Sequence, residues 1–86
     1  MDKNYLEAFE NVLKQLVLPM FPHLSDVKVS YKGFKGMVQI TYYINDRIDY
    51  STGYTIEKET NTLFNMMGFD KNHHPWVNYR STEEEN

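Results

Sequence analysis

Two stretches of strict alternation lie back to back in the middle of the chain, and they limit the fold more than any other feature. From Asp26 to Phe34, Val27, Val29 and Tyr31 alternate with Lys28, Ser30 and Lys32. From Met37 to Ile44, Val38, Ile40, Tyr42 and Ile44 alternate with Gln39, Thr41 and Tyr43. A period of two puts each set on its own face of a strand. Gly33-Phe34-Lys35-Gly36 supplies the turn between them, so the two runs read as a hairpin with one apolar face. A lone hairpin is marginal in water, and its apolar face demands a covering layer.

The N-terminal segment provides a cover. From Asn4 to Leu18, Tyr5, Leu6, Phe9, Val12, Leu13, Leu16 and Val17 recur every three or four residues among Glu7, Glu10, Asn11, Lys14 and Gln15. That spacing is an amphipathic helix, and Pro19 and Pro22 end it, since neither can donate an amide bond within a helix. Beyond the hairpin, Asn45-Asp46 has the side chains that tight turns favour, which predicts a third strand over 47–52 pairing back on the second. Thr55 then caps a second helix from Ile56 to Met67, with Ile56, Thr60, Leu63, Phe64 and Met67 on one face. Gly68 suits the left-handed position that closes such a helix, and Phe69 falls where it can rest on Phe64.

Residues 70–80, with Trp76, Val77 and Tyr79, can dock as a further strand. The expected architecture is an α+β, two-layer α-β-β-β-α domain, with a three-stranded antiparallel sheet and two helices on one face. One domain is expected over residues 1–80, followed by an acidic disordered tail over 81–86.

With 86 residues and no cysteine, such a domain holds itself together by its core or by a partner, without disulfides or thiolate metal sites. No run approaches a membrane span of about 18 apolar residues, and the N-terminal residues are not a signal peptide. The cytoplasm is therefore the expected location, that of the host if the protein is virus-encoded. The net charge of −3 counts against general affinity for polyanions. Basic residues nevertheless gather in the middle, where residues 26–56 sum to +1 against −3 for residues 57–86.

The α-β-β-β-α order resembles the layout of the double-stranded RNA-binding domain over about Asn4 to Met67. Where that family opens its second helix with phosphate-gripping lysines, this chain has Thr55-Ile56-Glu57-Lys58-Glu59, so no binding residue carries over. Gly33-Phe34-Lys35-Gly36 also spells the GxxG of KH domains, but it joins strands rather than helices.

Catalysis has no foothold in the pattern. No nucleophile elbow or phosphate loop occurs, and the pairs Glu7/Glu10 and Glu57/Glu59 are solvated or diverge. Asp70, His73 and His74 offer a metal too few converging ligands, so neither a metal nor a cofactor is expected. His23, between Pro22 and Leu24, reads as a packing residue.

The positive signal is aromatic content, with seven Tyr, five Phe and one Trp. Such side chains are the usual anchors of protein interfaces. Phe34 at the hairpin tip and Trp76 near the end have no evident place in the core, which predicts a protein-binding site made of Phe34, Lys35, Tyr43 and Trp76. The function expected is a small non-enzymatic module that binds a protein partner, as an inhibitor or modulator of a larger (host) macromolecular machine. Eight Asn and seven Lys fit a phage or accessory factor from an AT-rich genome. Nucleic-acid binding through Lys28, Lys32, Lys35 and Tyr43 is the first alternative, and a homodimer joined through an open strand edge is the second.

Overall fold

A computed structural model describes residues 2–33 and 36–82. Two helices lie against one face of a three-stranded sheet in the order α1 (Lys3–Leu16), β1 (Leu24–Lys32), β2 (Met37–Ile44), α2 (Tyr50–Met66), β3 (His74–Ser81). A short 3-10 turn at Leu18–Met20, opened by Pro19, follows α1. The α+β class, the two helices and the three strands agree with the sequence.

The chain follows a different route from the one expected. β1 and β2 are antiparallel neighbours, but the third strand is β3, which pairs parallel to β2, giving a mixed sheet in the order β1-β2-β3. Parallel neighbours need a long crossover, and α2 supplies it. The double-stranded RNA-binding layout therefore does not describe this chain.

The expected third strand over 47–52 is instead the approach to α2 and its first turn. Asp49 caps that helix, its Oδ1 accepting the Thr52 N–H at 2.7 Å. Thr55, expected as the cap, lies inside the helix with its hydroxyl bonded to the Ser51 carbonyl. Asn45 makes no hairpin, its N–H reaching the His23 carbonyl at 2.9 Å.

The core forms where the two alternations predicted. Phe9, Leu13 and Val17 from α1 and Ile56 and Phe64 from α2 meet Val27, Val38, Ile40 and Tyr42 of the sheet. Val77 and Tyr79 of β3 join that side, in register with Ile40 and Tyr42. Gly68 takes φ +79° after α2, and Phe69 turns back to stack on Phe64 at 4.3 Å between ring centroids.

One polar relay crosses this core. The Tyr42 hydroxyl lies 2.6 Å from Thr60 Oγ1, which donates to the Ile56 carbonyl at 2.7 Å. With the Thr60 proton so used, Tyr42 donates to Thr60. Burial opposes the phenolate and pushes the Tyr42 pKa up to about 12.

Candidate interaction surface between helix 2 and the sheet edge

Both β1 and β3 are edge strands, and the chain treats them differently. Along β1, α1 lays Glu10 against the edge so that its Oε1 accepts the Val29 N–H at 2.9 Å. The Val27 N–H is met by Asp26 Oδ1 at 2.8 Å. Lys14 reaches both carboxylates, 3.4 Å from Glu10 and 3.9 Å from Asp26. Side-chain acceptors in place of a neighbouring strand make β1 a poor template for another chain.

Among the described residues β3 has no strand beyond it, and α2 lies alongside it. Between them runs a trough in two compartments. The first, about 550 Å³, is lined by Tyr54, Lys58 and Asn61 of α2 and by Pro75, Trp76 and Val77 of β3. The second, about 420 Å³, holds Asp49, Tyr50, Tyr54 and Glu57 opposite Ile44 and Tyr79. Tyr54 and Glu57 belong to both, so the compartments adjoin.

Local sequence explains the walls. Tyr50 and Tyr54 are one helical turn apart, 95% and 64% exposed, because Asp49 starts the helix early enough to place both on it. Trp76 is 46% exposed, in register with Gln39 at the rim where the trough meets the helix-free face of the sheet. The Tyr79 hydroxyl donates to the Gly53 carbonyl at 3.1 Å, tying β3 to α2. Its pKa is raised first by burial and then by the negative charges of Glu57 and, once ionised, Tyr42.

The residues singled out in the sequence divide between surfaces. Trp76 lines the trough. Tyr43 lies on the helix-free face, in register with Asp26 and Arg80. Lys28, opposite Thr41, and Lys32, opposite Met37, share that face with Tyr43. Phe34 and Lys35, and the acidic residues Glu83 to Glu85 of the tail, lie outside the described residues. Ser81, placed in the tail by the sequence, closes β3, and Thr82 donates to the Ile44 carbonyl at 3.3 Å.

Sequence reasoning missed Tyr50, Tyr54 and Tyr79 as surface residues. The signal available was the pairing of Asp49 as an N-cap with two tyrosines four residues apart, hidden by the β-branched and aromatic content of 48–52. Among the described residues no group of three or more His, Asp or Glu is placed to hold a metal, and no helix is long and apolar enough to cross a membrane.

No family model matches the chain, and no curated protein matches it in sequence. Among solved structures, the fold is similar to that of the MamB CTD, a magnetosome protein domain from Desulfamplus magnetovallimortis BW-1. The TM-score is 0.68 at 26% identity, over 93% of this chain and 95% of that one. The similarity is one of fold, a small α+β domain.

Proposed function

We propose that this domain is a non-catalytic protein-binding module that takes an extended segment of a partner into the trough between α2 and the edge of β3. The observation that carries the reading is the pairing of an edge strand, on which no carboxylate cap of the β1 kind is seen over residues 74–80 among the described residues, with a trough walled by Tyr54 and Trp76. An added strand draws affinity from main-chain hydrogen bonds and specificity from alternate side chains set into such a trough. Trp76 and Tyr54 are the anchors. Pro75 lacks an N–H and limits pairing at the start of the strand. Likeness to the C-terminal domain of a larger protein supports an accessory rather than catalytic role. An inhibitory role and a viral source have no support in the fold or the similarity, and neither belongs to this proposal.

The test is selection from a random twelve-residue peptide library against the immobilised chain. Enriched peptides should alternate apolar residues, and Trp76→Ala or Tyr54→Ala should weaken them at least tenfold, about 1.4 kcal/mol, with circular dichroism unchanged. Failure to enrich any peptide, or binding indifferent to both substitutions, refutes the reading.

The same edge favours one second reading, a homodimer in which two β3 strands pair antiparallel across a two-fold axis into a six-stranded sheet. Sedimentation equilibrium that gives twice the mass of the 10.3 kDa chain supports it, and monomer at all concentrations removes it.

A further inference from the structure

We propose that the compartment walled by Tyr50, Tyr54 and Tyr79 is a socket for a basic side chain of the docking segment, an arginine in preference to a lysine. The inference rests on the protein-binding reading above and adds the chemistry of the partner.

Three phenol rings and two carboxylates, Asp49 and Glu57, line this space, and among the described residues no lysine or arginine does. Its volume of about 420 Å³ falls in the range of about 300 to 1,000 Å³ typical of ligand sites. Aromatic faces attract a cation through their quadrupole, and a guanidinium can stack on a ring while its N–H fork meets a carboxylate.

Tyr79 and the two carboxylates are arranged to accept rather than donate. Tyr79 spends its proton on the Gly53 carbonyl. Asp49 accepts hydrogen bonds from Thr52 and Ser51 and makes no salt bridge among the described residues. Glu57 has no salt bridge among them, since both described ion pairs belong to Lys14. The amide end of α2 would repel a cation, but the Asp49 carboxylate sits on that end and offsets its partial charge.

The neighbouring compartment differs. It contains Lys58 beside Glu57, together with Asn61, Thr62 and Asn65, so its charges balance. A segment lying along β3 would thus place an apolar residue near Trp76 and its basic residue beyond Tyr54. A glutamate in the second position would face two carboxylates.

The experiment uses the full chain, labelled with nitrogen-15, and three blocked single residues as probes: the N-acetyl methylamides of arginine, lysine and norleucine. The arginine probe should shift the amides of Tyr50, Gly53, Tyr54 and Tyr79 saturably, with lysine weaker and norleucine at least fivefold weaker. Glu57→Gln, at an exposed position, should weaken the arginine probe about fivefold, and Tyr54→Leu should do so without any change of charge. Equal binding of norleucine and arginine, or shifts confined to other regions, overturns the socket.

The library selection separates the two proposals. Peptides that enrich without arginine or lysine overturn the socket and leave strand addition standing. Saturable arginine binding at these amides, with no peptide enriched, supports the socket and overturns strand addition.

Discussion

Replacing Tyr42 by phenylalanine should destabilise the protein at neutral pH and stabilise it at high pH, with the two stability curves crossing near pH 11. Tyr42 is fully buried, and its hydroxyl makes the 2.6 Å bond to Thr60. Removing that hydroxyl leaves the Thr60 bond to Ile56 in place and opens almost no space, so the cost is that of one buried hydrogen bond, about 1 to 1.5 kcal/mol. The alkaline arm follows from the pKa, raised from the ordinary 10.0 to about 12. A folded-state pKa above the unfolded one gives stability that is complete below pH 10 and lost as pH climbs through the folded value. Two units correspond to about 2.7 kcal/mol, of which roughly half is gone at pH 11. The phenylalanine variant has no such proton to lose.

Tyr79 adds in the same direction, since the variant lacks the ionised Tyr42 that helps to raise its pKa. Urea unfolding, followed by far-ultraviolet circular dichroism at pH 7, 9, 10, 11 and 11.5, measures the gap. It should shrink above pH 10 and change sign. A gap that stays constant from pH 7 to 11.5 would refute the argument, because the buried hydroxyl would then ionise as freely folded as unfolded.

Three further outcomes follow from the fold. Gly36→Ala should cost at least about 2 kcal/mol in thermal or urea unfolding, since φ is +64° there and a Cβ would lie 2.2 Å from the Asn72 carbonyl oxygen. Glu10→Ala should lower stability by about 1 kcal/mol and leave the Val29 N–H on the β1 edge open, so light scattering should show self-association beyond that of the parent. Asp49→Ala should lower the melting temperature at pH 7. The Asp49 carboxyl is held below its ordinary 3.8 chiefly by the Thr52 backbone bond, so the difference should persist above that pH and fade as pH falls through the lowered value.

The sequence by itself determined the parts of this protein whose signals are local. The alternation over 26–44 set the β1–β2 hairpin and which face is apolar, with Val27, Val38, Ile40 and Tyr42 all ending inside. The three- and four-residue spacing set α1, and Gly68-Phe69 set the close of α2. Trp76 stood out from the start as an aromatic without a place in the core.

Tertiary structure decided the remainder. Residues 48–52 combine a good N-cap with residues common in strands, and strand preference reflects fit to a half-buried surface more than any intrinsic rule. The Asp49 cap and the burial of Ile56, Thr60 and Phe64 settle that stretch as helix. Parallel pairing of β3 with β2 leaves little local mark, because Pro75 and Asn78 interrupt the pattern and its partner lies across a whole helix. The trough exists only through that crossover. Tyr50 and Tyr54 come from one element and Trp76 and Tyr79 from another, and no spacing along the chain could have placed them together.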